Sequence, residues 1–380
     1  MLPMRQESTR IVVGSLAILL VVLFLWDMCR ASEGFLQALE PRKFRFPKDH
    51  ADHPGFQTEW WYYTGNLVSK DGRAIGFQLT FFRVQLKPVL LFSGSAWRSN
   101  QVYFAHFAVS DLGKGEFLMA EKAGRGAMGI GGVSSHLEGV CVFLHGWEAV
   151  VHGNTHRLRA EGEGFGIELE LISQKPPVLH GENGLSRKGF GEGRASYYYS
   201  LTRMKTQGVL RLGTDTHSVS GFSWMDHEFS SSILSRNHVG WDWMGLQLSG
   251  NKELMLYALR HRDRSIDPFS SGTLIRKDGT SIHLPKGAFG IKPTDFWTSK
   301  QSGARYPSGW HVEVFPYHMD LRVTPNLKDQ ELITTESTEV TYWEGSVRVT
   351  GTVAGEKVTG SGYVELTGYG GGFDLGFQER

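Results

Sequence analysis

Short runs of alternating apolar and polar residues recur along the chain, and glycine, asparagine or aspartate separates most of them. Such runs predict β-strands, and the first two form a hairpin in which residues 59–67 and 74–83 flank Asp71-Gly72, a strong turn signal. No long segment carries the 3.6-residue apolar period of a helix, so we expect helices to be few and short. The pattern therefore predicts an all-β chain.

Further strands are predicted at regular short intervals. They lie at 102–110, 117–122, 140–144, 148–151, 155–161, 166–171, 195–204, 208–212, 218–229, 272–276, 281–284, 309–314, 319–324, 340–343, 346–353 and 357–367. This spacing is typical of barrels or sandwiches. The segment 241–245 (WDWMG) follows 61–65 (WYYTG) by 180 positions, and each leads through a polar turn into an apolar strand that ends in arginine. The repeat predicts two copies of one domain.

The N-terminal residues 1–31 have the pattern of a targeting segment. Arg5 and Arg10 precede an uncharged apolar run at 11–26, which predicts a signal peptide or an uncleaved membrane anchor. Both alternatives predict an exported protein, periplasmic or extracellular, that is held at the membrane by residues 11–26 if they are retained. We then predict a linker at 32–43, a first barrel domain at 44–234 and a second at 235–380.

Composition narrows the function classes. The formal charge of +1 gives no basis for a nucleic-acid partner. The two cysteines, Cys29 and Cys141, exclude a disulfide framework and a thiolate zinc cluster. A GxGxxG match begins at Gly124 but has no βαβ unit around it, so it predicts a glycine-rich loop rather than a phosphate site. We expect no cofactor.

The strongest candidate for chemistry is Asp226-His227-Glu228, three ionisable residues inside an aromatic run. In a strand, Asp226 and Glu228 share one face with Trp224, whereas His227 faces the other way. A carboxylate pair beside a tryptophan in a cavity would handle protons. The alternative is an ion-pair cluster that pins two layers together, with Arg83 or Arg260 as the cation.

Several motifs together make the chain resemble the secreted lipocalin-like family of AttH and the carotenoid 1,2-hydratases. They are Phe46-Pro47-x-Asp49-His50, Glu59-Trp60-Trp61-Tyr62-x-Thr64-Gly65, Trp224-x-Asp226-His227-Glu228, Gly240-Trp241-Asp242-Trp243, Tyr306-Pro307, Tyr342-Trp343-Glu344-Gly345 and the segment 362–369 (GYVELTGY). They occur in family order from about residue 44 to 370. The resemblance implies two lipocalin-like β-barrels packed against each other, which agrees with the repeat.

The resemblance implies two kinds of function. The hydratases add water to an isoprenoid double bond without a cofactor, whereas AttH-like members have no settled activity, and their genes often lie beside those of ABC exporters. The hydratase pattern Asp-His-Asn-Trp is replaced here by Asp226-His227-Glu228-Phe229, and its Tyr-x-Asp by Tyr257-Ala258-Leu259. These departures favour the AttH-like branch. The expected partner is an apolar small molecule or lipid, and the alternative function is a non-catalytic lipid-binding accessory protein of an envelope ABC exporter.

The predicted site lies in a cleft that both halves line. If the protein is an enzyme, we expect a cofactor-free hydratase-like lyase or a hydrolase that acts on a lipophilic substrate. Asp226, His227 and Glu228 are the candidate catalytic residues. The candidate ligand-binding residues are the aromatic side chains Trp61, Tyr63, Trp224, Trp241, Trp243 and Tyr257.

The remaining histidine and acidic residues are predicted to have structural roles rather than to bind metal or to act as catalysts. Asp49, His50, Asp52 and His53, and the pair His152 and His156, could bind metal only if several converged, so we expect no metal site. Four further residues, Trp343, Glu344, Tyr363 and Glu365, are assigned to the wall and core of the second barrel, with Arg348 as a partner for Glu365.

Overall fold

The computed structural model describes residues 34–88, 99–136, 139–232, 234–235 and 237–371. The predicted targeting segment at 1–31 lies outside the described residues. Within those ranges the chain forms β-strands and three short 3₁₀ helices, at Lys48–His50, Lys286–Ala288 and Phe315–Tyr317. No helix in the described part is long and apolar enough to cross a membrane. The all-β prediction is confirmed.

The first sheet contains the strands of the N-terminal half. They are β1 Thr58–Ser69, β2 Ala74–Gln85, β3 Gln101–Asp111, β4 Glu116–Arg125, β5 Gly131–His136, β6 Gly139–Leu144, β7 Trp147–His152, β8 Thr155–Gly162, β9 Phe165–Ser173, β10 Val178–Leu179, β11 Leu185–Arg187, β12 Ala195–Leu212 and β13 Asp215–Ser230. Their order is β4-β3-β2-β1-β13-β12-β9-β8-β7-β6-β5, with β10 and β11 paired to β12. Strands β4 and β5 are the two edge strands of this sheet, yet they are consecutive in sequence. The sheet therefore curls until its edges approach each other and forms a nearly closed barrel.

The second sheet repeats this plan in the C-terminal half. Its strands are β14 His238–Leu248, β15 Lys252–His261, β16 Ser271–Ile275, β17 Ser281–Pro285, β18 Phe289–Pro293, β21 Trp310–Val314, β22 Met319–Pro325, β23 Glu331–Thr334, β24 Val340–Val353 and β25 Glu356–Leu366, while β19 Phe296–Thr298 and β20 Arg305–Pro307 form a separate pair. The order β17-β16-β15-β14-β25-β24-β22-β21-β18, with β23 on β24, again brings consecutive strands to opposite ends. Two barrel-like sheets are therefore present, as the repeat predicts.

The predicted first hairpin shows how alternation builds the barrel interior. Trp61 pairs with Phe81 and Tyr63 with Leu79, and all four side chains are fully buried inside the first barrel. Gly72 closes the turn with φ at +86°, a conformation that glycine adopts without steric cost. The opposite face of the same hairpin is also largely buried, because the second barrel packs against it.

The two barrels contact each other through the outer faces of their sheets. Tyr62 donates a hydrogen bond to Glu344 at 2.6 Å, and His106 contacts the Tyr342 hydroxyl at 2.8 Å. On the other side of the interface, Lys175 meets Glu253 at 2.7 Å. The first sheet ends at Ser230 and the second begins at His238, so the connection between them is short.

The N-terminal stretch that we predict to be a linker packs against the first barrel in its described part. Phe35 and Ala38 are buried, and the backbone N–H of Leu36 donates to the carbonyl of Gly55 at 2.8 Å. Tyr197 donates to the carbonyl of Glu40 at 2.8 Å. These contacts place the stretch over the end of the first barrel at which β12 begins and β13 ends.

Candidate functional site

A cleft lies between the outer faces of the two sheets. It encloses about 1250 Å³ including its open mouth, and its lining is predominantly apolar. Tyr62 and Trp243 are buried within it, whereas Trp60, Trp241 and Leu234 are half-buried nearer the connection between the sheets. Exposure thus increases toward that connection, which marks the mouth of the cleft. Sites between domains with this kind of lining are typical of small-molecule binding.

Strand β13 divides its side chains between the cleft and the first barrel. Asp226 and Glu228 line the cleft, whereas Met225 belongs to the barrel core. Trp224 lies on the cleft side, where it packs edge-on against Trp243 with ring centroids 6.1 Å apart. The alternation predicted for residues 224–229 is therefore observed, and it separates His227 from its two acidic neighbours.

Asp226 is buried but fully supplied with hydrogen-bond donors. Tyr198 and the Trp224 indole donate to it at 2.6 Å each, and the Ser200 hydroxyl also donates to it. Burial raises the pKa of Asp226 to about 7, although these three donors oppose the shift, and the nearby Glu228 carboxylate adds to it. A carboxyl group in this setting can accept or release a proton near neutral pH.

Glu228 is held by an ion pair at the edge of the cleft. The Lys188 ammonium lies 3.1 Å from its Oε1, and the Ser196 hydroxyl donates to the same oxygen. Burial would lower the pKa of Lys188, but the Glu228 carboxylate holds it above its ordinary value. Lys188 is the only lysine or arginine among the described residues that line the cleft. The predicted partners Arg83 and Arg260 instead bind Glu59 at 3.0 Å and Asp242 at 2.8 Å.

Two further carboxyl groups reach the cleft from the second sheet. Glu344 is 1% exposed, and its Oε1 accepts the hydrogen bond from Tyr62. Among the described residues, Glu344 Oε2 has no hydrogen-bond partner. Burial raises the pKa of Glu344 well above its ordinary value, and the neighbouring Glu365 and Asp226 carboxyls raise it further. This shift favours the protonated, neutral form of Glu344.

Glu365 lies directly opposite Glu344 in the β24–β25 pair. The Trp241 indole donates to its Oε2 at 3.2 Å, whereas the predicted partner Arg348 is exposed. Burial raises the pKa of Glu365 to about 7 despite that hydrogen bond, and the Asp226 and Glu228 charges add to the shift. The assignment of Glu344 and Glu365 to wall and core missed their place in the cleft. Each glutamate follows a tyrosine by two residues, Tyr342 or Tyr363, and therefore shares its face of the strand. This alternation was the sequence signal that could have placed both glutamates on one surface.

The aromatic predictions are met in part. Trp241, Trp243 and Tyr257 line the cleft from the second sheet. Trp61 and Tyr63 do not, because they point into the first barrel, where Trp61 donates to the His50 carbonyl at 3.0 Å.

The places predicted for Trp61 and Tyr63 in the cleft are taken by their neighbours Trp60 and Tyr62. Tyr62 pairs with Asp226, and Trp243 pairs with Glu365. The structural repeat therefore has an offset of 181 rather than 180 residues, and a one-residue error exchanges the two faces of a strand.

His227 also lies outside the cleft, inside the first barrel. Its Nε2 contacts Glu59 at 2.7 Å and its Nδ1 contacts the Tyr199 hydroxyl at 2.9 Å. Glu59 further binds Arg83 at 3.0 Å and His53 at 2.7 Å. The predicted catalytic grouping of His227 with Asp226 and Glu228 is corrected, because alternation puts the histidine in a buried charge network on the opposite face.

Three described groups of histidine and carboxylate side chains have the spacing of metal ligands: His53, Glu59 and His227; His238, His261 and Asp267; and His311, Glu313 and Asp320. In the first group both ring nitrogens of His53 already face carboxylates, Glu59 at 2.7 Å and Asp49 at 3.0 Å. Burial opposes protonation of His53, but the Glu59 charge raises its pKa. A doubly protonated imidazole has no lone pair for a metal.

In the second group, His238 also has no ring nitrogen free to bind a metal. Its Nδ1 accepts from the backbone N–H of Ser235 at 3.1 Å, so its Nε2 carries the proton and donates to Asp267 at 3.0 Å. The third group lies on β21 and β22, where Asp320 is exposed and His311 and Glu313 are half-buried, and it matches a surface ion pair. These geometries favour structural roles for the three groups.

Comparison with known proteins identifies the family. The family model described as AttH-like matches residues 37–369. The chain belongs to the AttH-like family. A crystal structure assigned to AttH of Nitrosomonas europaea is 32% identical, covers 88% of this chain and 100% of its own, and superposes with a TM-score of 0.78.

Hydratases are among the more distant relatives of this AttH-like chain. The structure of kievitone hydratase from Nectria haematococca is 14% identical, with a TM-score of 0.66 over 88% of this chain and 98% of its own, which shows a shared fold. Kievitone hydratase of Fusarium solani subsp. phaseoli is 23% identical over 178 residues, or 45% of this chain. This match spans only about half of the hydratase, 49% of its length.

Proposed function

We propose that this AttH-like protein is a cofactor-free hydratase that adds water to, or removes it from, a lipophilic substrate bound in the cleft. The observation that carries the proposal is Glu344, a buried carboxylic acid on the cleft wall whose Oε2 has no partner among the described residues. A neutral acid in an apolar cavity is the group that protonation of carbon requires. The kinship with hydratases supports the reaction class.

The carboxyl groups of the cleft have different roles in the proposed reaction because their surroundings differ. Glu344, with Tyr62 on Oε1, can release the Oε2 proton to an alkene carbon, where a new C–H bond forms from the π electrons. The cation on the adjacent carbon faces the aromatic walls and the Asp226 carboxylate. Water adds to this cation, and its extra proton passes to a carboxylate and restores the acid. Atoms and charge balance without an oxidant, a reductant or a metal.

The charge of the cleft limits the substrate to uncharged molecules. Asp226 and Glu365, each with a pKa of about 7, face it together, and the nearby Lys188 already pairs with Glu228. A carboxylate or diphosphate would be repelled, since bringing like charges together in an apolar cavity is costly. An isoprenoid alkene, or a tertiary alcohol for the reverse reaction, satisfies both the apolar walls and this charge. The same walls and charge also suit a hydrolase acting on an uncharged lipid, but the unpartnered acid favours addition to carbon.

The test is turnover of neutral isoprenoid alkenes and alcohols by the full chain, with mass spectrometric detection of a gain or loss of water. Glu344→Gln should lower the rate ~100-fold or more, because loss of a general acid has this effect. Glu313→Gln, at a half-buried glutamate on β21 that does not line the cleft, is the matched control and should retain activity. Equal rates for Glu344→Gln and wild type would refute the assigned acid.

The binding-only alternative has its own readout. Native mass spectrometry of the protein purified from membranes would reveal a co-purifying lipid. A bound neutral lipid that wild type leaves unchanged, together with inactivity across the panel, would replace the hydratase by a lipid-binding function.

A further inference from the structure

Exposed apolar side chains surround the end of the molecule at which the cleft opens. Leu36, Leu39 and Leu86 are 55%, 50% and 49% exposed, and Phe190 is 81% exposed. A single exposed leucine is ordinary on a protein surface. Several around one opening form an apolar rim, which marks an interaction surface.

Direct contacts place the N-terminal part of this rim at the mouth. The Ser231 hydroxyl donates to the Leu36 carbonyl at 2.5 Å, and the next residue, Ser232, lines the cleft. The backbone of Gly193 approaches the Gln37 side chain so closely that a Cβ would lie 2.4 Å from its Oε1. The segment at 36–39 and the loop at 188–194 are therefore neighbours.

The loop that carries Phe190 borders the cleft from its other side. Phe190 packs edge-on against Phe269 with ring centroids 4.8 Å apart. Tyr257, a cleft residue, donates to the Phe269 carbonyl at 3.2 Å. Lys188, two residues before Phe190, lies 4.1 Å above the Tyr257 ring. The most exposed aromatic side chain of the rim thus lies next to the cleft lining.

Basic residues predominate among the charges around the rim. The exposed basic residues are Lys43, Arg45, Lys48, Lys87, Arg187 and Arg194, and the exposed acidic residues nearby are Glu40, Glu182 and Glu192. Apolar side chains combined with lysine and arginine are the composition of surfaces that bind anionic bilayers.

The predicted targeting segment joins the described part of the chain at this same end, because the described residues begin at Gly34. Only residues 27–35 separate the apolar run at 11–26 from Leu36. Nine residues span at most about 32 Å when fully extended. If the apolar run is retained in a bilayer, it therefore holds the rim, and with it the cleft mouth, close to the lipid surface.

We propose that the rim around the cleft mouth docks on the surface of an anionic lipid bilayer, with Phe190 and the leucines at the level of the acyl chains. An apolar ligand then passes between bilayer and cleft without crossing water. This surface does not depend on the chemistry proposed for Glu344, since docking alone would serve a binding protein equally well.

The experiment measures how deeply the rim enters the membrane. In full-length protein carrying Cys29→Ser and Cys141→Ser, a fluorophore is attached at Phe190→Cys or, as control, at Val209→Cys, on the far end of β12 and 38% exposed. The protein is reconstituted into phosphatidylglycerol vesicles with brominated acyl chains. We expect several-fold stronger quenching at position 190 than at 209. Equal quenching at the two positions would overturn the proposal.

A charge variant tests the choice of lipid. Lys43→Gln with Lys48→Gln should reduce quenching at position 190 in phosphatidylglycerol vesicles and leave it unchanged in phosphatidylcholine vesicles. The matched control is Lys277→Gln with Lys292→Gln, at exposed lysines of the second sheet. Unchanged quenching in both lipids would refute the anionic surface. The assay contains no substrate, so its failure is distinct from failure of the proposed reaction.

Discussion

The two faces of strand β13 hold charges of different kinds. On the barrel face, His227 contacts Glu59, and the Glu59 carboxylate also pairs with the Arg83 guanidinium and contacts His53. On the cleft face, the hydrogen-bond donors that reach Asp226 from the described residues are all neutral. Compensated charges hold a scaffold together, whereas carboxyl groups buried without a cation remain available for proton transfer. Adjacent residues in sequence therefore have separate tasks.

The largest expected loss of stability comes from a substitution in the charge network on the barrel face of β13. Glu59→Gln leaves Arg83, which is fully buried, without its carboxylate. We expect a loss of ~3–5 kcal/mol in the free energy of unfolding, the usual cost of breaking a buried pair from one side. Denaturant unfolding measures it, and binding of a hydrophobic dye to the folded variant should be unchanged. A loss below ~1 kcal/mol would contradict a scaffold role for the network.

The next effect compares the carboxyl groups of the two sheets. Asp226→Ala removes the acceptor of Tyr198, Ser200 and Trp224, and we expect it to cost ~2–3 kcal/mol because buried donors lose their partner. Glu365→Ala frees only the Trp241 indole and should cost ~1 kcal/mol. Thermal and denaturant unfolding of both variants give the ranking. Equal losses would show that the two positions are not supported differently.

The third prediction concerns how the free energy of unfolding depends on pH. Because the pKa of Glu365 is raised from 4.5 to about 7, the folded state binds this proton more tightly than the unfolded state. Its contribution is fully present below pH ~4.5 and is lost as pH rises toward about 7. Wild type should therefore lose ~2–3 kcal/mol relative to Glu365→Gln between these values. Parallel stability profiles for the two proteins would refute the shift.

The smallest effect tests the ion pair at the cleft edge. Lys188→Met leaves Glu228 with the Ser196 hydroxyl alone and should cost about 1 kcal/mol, since the pair is partly solvated. Adding Glu228→Gln should restore most of that loss. If the double variant is no more stable than Lys188→Met, the pair does not couple the two residues.

The sequence predicted the architecture well because alternation and turn signals are local. The hairpin at Asp71-Gly72, the scarcity of helix and the two-barrel plan all follow from short-range patterns. The alternation in β13 was also read correctly. The grouping of His227 with Asp226 nevertheless ignored it, because adjacency in the motif was given more weight than the face of the strand.

The other half of the cleft could not be read from local pattern. Glu344 and Glu365 meet Asp226 only because two sheets pack by their outer faces, and register across sheets is a long-range property. The sequence repeat indicated which strands of the two sheets correspond. Its offset was wrong by one residue, so Trp61 and Tyr63 were predicted to line the cleft instead of Trp60 and Tyr62. The linker prediction at 32–43 likewise had no local sign of the contacts that Phe35 and Ala38 make.

The division of β13 into two faces has a consequence for how relatives of this protein should be compared. Positions 224, 226 and 228 face the second barrel and the cleft, and positions 225, 227 and 229 face the first barrel, so each set has its own neighbours. A relative with a new substrate can change the first set while it keeps the second. An alignment of relatives should therefore be scored separately at the even and odd positions of this strand, because the even positions report on the ligand and the odd positions on the barrel core.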